Sequence, residues 1–162
     1  MPVDRASAIE AIVLALRQQL RDLVASAEVA RDEATNEHSK AENKYDTRAI
    51  EAAYFAGAQS LRVQALRRAL TVYERLGSAP VSDGTIDGPC LVTVRDGVGQ
   101  QRFYFIGPAQ GGLAVSVDGA AVRVITPDSP LGGRMVGLGV GDSFTTPTCE
   151  HLDVVGIDHH QS

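Results

Sequence analysis

The sequence predicts an α+β protein in two parts: an N-terminal antiparallel coiled-coil hairpin, then a mostly antiparallel sheet carrying one short helix. Three observations lead there. Apolar residues in the first half recur in alternating steps of four and three, the spacing that lines one face of a helix. From Cys90 onward that period gives way to short β-favouring runs separated by turns containing Gly, Pro and Asp. Charge divides at the same place: residues 1–80 hold 11 Lys/Arg and 11 Asp/Glu, whereas residues 81–162 hold 4 and 9. The two halves therefore present different surfaces, the second being the acidic one.

The first seam is Ile9, Val13, Leu16, Leu20, Leu23, Ala27 and Ala30. Ser7 and Glu10 have capping-box spacing, which sets the expected helix start between Asp4 and Ser7. The second seam runs Ile50, Tyr54, Ala58, Leu61, Ala65, Ala69, Val72 and Leu76, with Gly77 as a left-handed C-cap and Pro80 opposing a restart. Leu66, Leu70 and Tyr73 are left to cover the junction with the second part. Between the seams, Ser39 and Glu42 repeat the capping-box spacing, which predicts a turn at 36–39. Two helices of about 30 residues joined by so short a turn run antiparallel over about 45 Å. Small residues, Ala27, Ala30 and Ala34 on one helix and Ala53, Gly57 and Ala58 on the other, allow the backbones to approach closely. The hairpin is thus expected over 1–77 and a Gly-, Ser-, Asp- and Pro-rich linker over 78–89.

Strands are expected at 90–94, 102–106, 113–117, 121–125 and 152–157. A short helix is expected over 131–138, with Ser129 as its N-cap and Pro130 at its first position. The second domain then covers 90–158, and 159–162 form a tail in which His159 and His160 face solvent.

Composition narrows the function. A chain of 162 residues with 44% apolar content builds one ordinary domain or two small ones. A net charge of −5 disfavours autonomous nucleic-acid binding. Cys90 and Cys149 lie far apart with no Cys-x-x-Cys pair and no signal peptide, which reads as a reduced, cytoplasmic protein; a disulfide would require strands to bring them together. The apolar stretch 9–16 is shorter than the roughly 20 residues of a membrane span. No phosphate-binding loop, zincin pattern or serine elbow is present, so a self-contained enzyme is not expected.

The segment Ile125-Thr126-Pro127-Asp128-Ser129-Pro130-Leu131-Gly132, followed by Gly139-Val140-Gly141-Asp142 and preceded by such a hairpin, resembles the Gre family of bacterial transcription elongation factors. Glu42-Asn43-Lys44-Tyr45-Asp46 is similar to the segment with which that family opens its second helix. The resemblance spans nearly the whole chain. It implies an FKBP-like C-terminal domain that docks on the rim of the RNA polymerase secondary channel, and a hairpin that enters the channel. In that family, acids at the tip help hold a magnesium ion beside the polymerase's own metal, so that backtracked RNA is hydrolysed. Carboxylate and water oxygens suit Mg²⁺, and a bound metal activates water for phosphodiester attack.

By this resemblance the tip candidates are Glu37, Glu42 and Asp46, with transient magnesium at Glu42 and Glu37 inside the polymerase complex and no tightly bound cofactor. The docking candidates are Asp128, Ser129, Pro130, Leu131, Gly141 and Asp142. The implied partner is bacterial RNA polymerase, with nascent RNA met indirectly in the channel and no membrane involved. Arg62, Arg67, Arg68 and Arg75 supply a basic helix surface toward the domain-proximal end. Glu42 matches the family's tip glutamate, whereas the family's aspartate three residues earlier is Ser39 here, and the spacing from Asn43 to Tyr45 is one residue short. The departure implies a channel-binding regulator without strong cleavage, its tip carboxylates at most assisting cleavage of backtracked RNA, and a junction covered by Leu66, Leu70 and Tyr73 favours a monomer.

Plainer roles also fit these residues: Ser39 with Glu42 and Ser129 with Pro130 as helix caps, Gly139 and Gly141 as turn formers, and Asp142 as a local backbone partner. Two other functions compete. A prolyl isomerase would need an apolar pocket, for which Phe103, Tyr104, Phe105 and Phe144 are thin lining. A coiled-coil adaptor would leave a continuous apolar face exposed on the paired helices.

Overall fold

A computed structural model describes residues 3–40, 47–76 and 84–159, without the side chains of 27, 30, 31, 33–40 and 47–59. Two long helices, α1 (Arg5–Lys40) and α2 (Thr47–Arg75), precede six strands: β1 (Cys90–Arg95), β2 (Gln101–Ile106), β3 (Ala114–Val117), β4 (Ala120–Ile125), β5 (Ser143–Thr145) and β6 (His151–Asp158). A short helix, α3 (Pro130–Met135), lies between β4 and β5. The chain divides into two compact units, one of residues 14–71 and one of residues 1–13 with 72–162. No described helix is long and apolar enough to cross a membrane.

The helix start falls where expected, but its cap is Asp4. The Asp4 carboxylate accepts the Ser7 amide at 2.7 Å and its carbonyl accepts the Ala8 amide at 3.0 Å. That bond to the Ser7 amide holds the Asp4 carboxyl below its ordinary range. The predicted turn at 36–39 is not there, because α1 runs through these residues to Lys40. No Gly or Pro interrupts the sequence from Arg31 to Lys40, so propagation adds a hydrogen bond per residue and the helix continues past Ser39. A residue inside a helix cannot be the extended N-cap of the next one. The expected linker lies outside the described residues up to 83, as do Gly77 and the tail from His160.

In the 14–71 unit, Leu16, Val63, Leu66 and Ala69 are buried and Leu20 and Leu23 half-buried. Among the described side chains the α1 seam follows the predicted register, whereas the α2 seam follows it only in part, with Ala69 buried as expected. Leu61 and Ala65, expected inside, are exposed, and Val63 and Leu66 take their place. In the other unit Val72, expected inside, is exposed and Tyr73 is buried, while Leu76 is buried as expected. Apolar residues on α2 are numerous enough from Leu61 to Tyr73 for two overlapping seams to satisfy the same period, and packing buries Val63, Leu66 and Tyr73 in place of Leu61, Ala65 and Val72.

The sheet has the order β3-β4-β2-β1-β6-β5. Four of its five pairings are antiparallel, as expected, and β2 with β4 is parallel. The β3–β4 hairpin turns at Asp118 and Gly119, whose φ values of 48° and 81° are the left-handed pair that a two-residue turn demands. The strand β5 was not expected from the sequence. It has three residues with only Phe144 buried, too few for an alternation to show.

Successive strand residues face opposite ways, so the sheet has two cores. On one side Cys90, Val92, Val94, Ile106, Ile125, Leu152 and Val154 pack with Ile86, Met135 and Phe144. On the other side Leu91, Phe105, Val122 and Val124 are buried, and the Tyr73 ring sits 6.2 Å from that of Phe105. The Tyr73 hydroxyl donates to the Ala109 carbonyl, and burial pushes its pKa up to about 12.

Arg5 joins the helix ends to this sheet. Its side chain is almost fully buried; Nε donates to the Pro89 carbonyl and Nη2 to the Leu76 carbonyl, both at 3.0 Å. Its backbone amide donates to the Asp158 carboxylate at 2.7 Å. Asp158 thus supplies an acceptor for an amide opening α1, and the Arg5 side chain a donor for a carbonyl just past α2, groups a helix cannot satisfy itself. Cys90 is buried and Cys149 exposed, and both are free thiols; burial pushes Cys90 up to about 12. His159, expected in the solvent-exposed tail, is half-buried directly after β6.

Candidate functional site

The conspicuous motif folds as one continuous segment, 126–142, whose polar groups largely bond to one another. Ser129 takes the extended conformation of an N-cap (φ −72°, ψ 158°), and its Oγ accepts the Gly132 amide at 3.0 Å. The same hydroxyl donates to the Thr126 carbonyl at 2.7 Å, and the Ser129 amide donates to that carbonyl at 3.1 Å. Pro130 occupies the first turn, where a missing N–H costs nothing. A methyl group added at Gly132 would lie 2.0 Å from the Thr126 carbonyl oxygen, so α3 rests on the preceding backbone there.

After Met135 the chain turns back. The Gly137 amide donates to the Ile86 carbonyl at 2.8 Å, and the Gly139 amide donates to Asp142 Oδ2 at 2.8 Å. Gly141 (φ 96°) donates to the Val154 carbonyl at 2.9 Å, and the Val154 amide returns a bond to the Asp142 carbonyl at 2.8 Å. The second motif is a tight turn pinned to β6, and Asp142 has the local backbone role expected of it.

Of the docking candidates, Asp128, Pro130, Gly141 and Asp142 are exposed, whereas Ser129 and Leu131 are half-buried and Leu131 packs on the core. Met135, whose exposure would have marked a contact surface, is fully buried. The exposed apolar side chains are instead Val136 at 42% and Val140 at 60%. Sequence reasoning missed both. The available signal was a valine on each side of a glycine-rich turn, where a free loop more often carries polar residues.

The tip candidates separate. Glu37 lies on the helical backbone of α1, with its side chain outside the described residues, as are Glu42 and Asp46 entirely. Among the described residues, no three His, Cys, Asp or Glu side chains gather into a metal-binding group. Arg62, Arg67 and Arg68 are exposed on α2 in the 14–71 unit. At about 100° per residue, Arg67 and Arg68 point about 100° apart, and Arg62 about 140° from Arg67. They ring the helix and form no single patch. Arg75, also exposed, ends α2 in the other unit.

A groove of about 500 Å3 opens across β2, β4 and β3, lined among others by Arg102, Tyr104, Ala114, Ala121 and Arg123. Arg102 is committed to the protein itself: its guanidinium meets the Glu150 carboxylate at 2.9 and 2.6 Å and Asp96 at 3.4 Å. Its bond to Glu150, then one to Tyr104, raises the Arg102 pKa above its ordinary value. The same pairing holds the Glu150 carboxyl below its ordinary 4.5.

Stability gained from a lowered carboxyl pKa is complete above the ordinary value and disappears as pH falls through the folded one. Glu150→Gln is therefore expected to lower stability slightly at neutral pH and to match the parent in acid, as read by urea denaturation at stepped pH. A gap that persisted unchanged into acid would remove the ion pair as its cause.

The fold class is now defined: a helical N-terminal region followed by a mixed sheet with one short helix. No protein-family model and no curated protein matches the chain. Among solved structures it is similar to GreA factor homolog 1 (Gfh1) of Thermus thermophilus, at 20% identity over 90% of this chain and 93% of that one, with a TM-score of 0.37. A second structure, of the transcription factor Gfh1, shares 21% identity over 91% of this chain and 93% of that one, with a TM-score of 0.38. Thermus aquaticus Gfh1 shares 21% identity over 88% of this chain and 91% of that one, with a TM-score of 0.35.

Proposed function

We propose that this chain is a transcription regulator that binds bacterial RNA polymerase at its secondary channel, docking through the sheet domain and inserting the helical hairpin. The observation that carries the reading is the segment 126–142. It joins both halves of the motif pair in one segment, held by hydrogen bonds within it and to Ile86 and Val154, with Asp128, Val136, Val140 and Asp142 exposed. Two exposed valines close together on a turn pinned to β6 suit a partner surface, since burying them removes apolar area from water. Glu37 and Glu42 would supply oxygen ligands of the kind Mg²⁺ takes, next to the polymerase's own metal. With serine at position 39 the hairpin carries one carboxylate fewer than the family pattern, so the reading is regulation with little cleavage of its own. The protein would act in the cytoplasm, as a monomer, with nascent RNA nearby but not directly gripped.

The test combines binding to purified core polymerase with transcript release from backtracked complexes in Mg²⁺. The expected result is tight binding with far less cleavage than a standard cleavage factor gives. Val140→Asp should weaken binding roughly tenfold by placing a charge in the contact. Glu42→Gln and Glu37→Gln should leave binding unchanged while removing any residual cleavage. Failure of the parent protein to bind would sink the reading for that polymerase, and cleavage equal to a standard factor would sink its regulatory half.

Among the described residues of the helical unit, the adaptor alternative finds no continuous exposed apolar face. Leu14 and Val29 at 58% and Leu61 at 69% are exposed, but polar residues separate the first two along α1. Single exposed apolar residues are ordinary.

A further inference from the structure

We propose that the outer edge of β3, with the groove beside it, receives an extended carboxylate-bearing segment of a partner protein as an added strand. This surface is separate from the 126–142 segment, and the inference does not depend on the polymerase reading. β3 closes one side of the sheet. Exposed edges usually carry a charge, a proline or a bulge that discourages another strand. Ala114, Val115, Ser116 and Val117 carry none of these, and their pairing with β4 is regular.

The free backbone groups can be assigned. The Val124 amide donates to the Leu113 carbonyl at 2.8 Å, and bonded and non-bonded pairs alternate along an antiparallel ladder. Val115 and Val117 therefore bond toward β4, opposite Val122 and Ala120. The N–H and C=O groups of Ala114 and Ser116 point out from the sheet, the donor and acceptor row that an added strand uses.

Side chains on the same strands set the preference. Arg123 stands opposite Ala114 on one side and Tyr104 on the other, and Ala121 stands opposite Ser116. The small residues at 114, 116 and 121 leave the space open. Arg102 is held by Glu150 and Asp96, but Arg123 is exposed and takes part in none of the ion pairs found among the described residues. A strand added outside β3 would run about 10 Å from β4, two strand spacings. An arginine and a glutamate reaching toward each other over Ala114 cover that distance. Backbone pairing would then hold the segment, and Arg123 would select an acidic residue opposite Ala114. A nucleic-acid backbone would need several cations where this groove offers one. A small molecule would need a more enclosed apolar site.

The test is amide exchange followed by NMR on the full chain, with a synthetic strand-forming peptide of valine and threonine carrying one central glutamate. A matched peptide carries lysine there. The glutamate peptide is expected to protect the Ala114 and Ser116 amides, and the lysine peptide to bind roughly tenfold more weakly. Arg123→Glu should reverse that order. Ser116→Pro removes an outward N–H, a change an edge strand tolerates, and should abolish protection at Ala114. Equal affinity for the two peptides, or no protection with about 1 mM glutamate peptide, overturns the proposal.

Discussion

Replacing Gly132 by alanine is expected to destabilise the sheet domain by about 3 kcal/mol or more, the range reached when a methyl group has nowhere to go. The added carbon would stand 2.0 Å from the Thr126 oxygen, 2.9 Å from the Thr126 carbonyl carbon and 3.0 Å from Ser129 Oγ. None of these can move independently. Thr126 begins the segment, and Ser129 Oγ is bonded to both the Thr126 carbonyl and the Gly132 amide. Relief of the clash would lift α3 off its cap and draw Met135 out of the core that it helps fill. Gly133 is the control, because a methyl group there comes no closer than 3.8 Å to Pro127 O. Gly133→Ala should stabilise by up to about 1 kcal/mol, through helix propensity alone. Urea denaturation of the two variants checks both signs. A tolerated Gly132→Ala would mean that the close approach of α3 to Thr126 is not required.

Arg5→Met is expected to cost about 3 kcal/mol, because the Leu76 and Pro89 carbonyls lose a charged donor while the aliphatic stem is largely kept. For a chain of this size that is roughly 6–12 °C in Tm. Arg5→Lys should recover only part of the loss. The guanidinium reaches Pro89 with Nε and Leu76 with Nη2, a fixed spread of donors that one ammonium group does not reproduce. Calorimetry on the three proteins tests this, and a methionine variant within about 0.5 kcal/mol of the parent would show that water replaces the arginine easily.

The sequence showed local features well and pairings poorly. Ser129, Pro130 and the Asp118-Gly119 turn were legible because capping and left-handed backbone depend on a few neighbouring residues. The inward register of Ile9 and Leu16 was legible because they stand at four-and-three steps along α1, each with a charged residue, Glu10 or Arg17, directly after it. On α2, apolar residues at Leu61, Val63, Ala65, Leu66, Ala69, Val72 and Tyr73 satisfy more than one helical seam, and packing decided between them. Ser39 has cap chemistry, but a serine is also tolerated within a helix, and no breaker nearby forced the chain to turn. The parallel β2–β4 pairing is set by which strands meet across the chain, which no short pattern encodes. Within the candidate site, the glycines of the motif could be read as turn residues. That Gly132 serves close contact, and that Val136 and Val140 rather than Met135 face outward, depends on how α3 lies on the core.

The pairing of β1 with β6 bears on how the molecule is made. Leu91 pairs with Asp158, 67 residues later, so a growing chain leaves one side of β1 without its neighbour for about 3–13 s at ordinary translation rates. The Arg5 amide waits longer, since its acceptor on Asp158 lies 153 positions away, about 8–30 s of synthesis. Emergence of β6, rather than of the helices or of β1, is the event that lets the first helical turn and that strand secure each other.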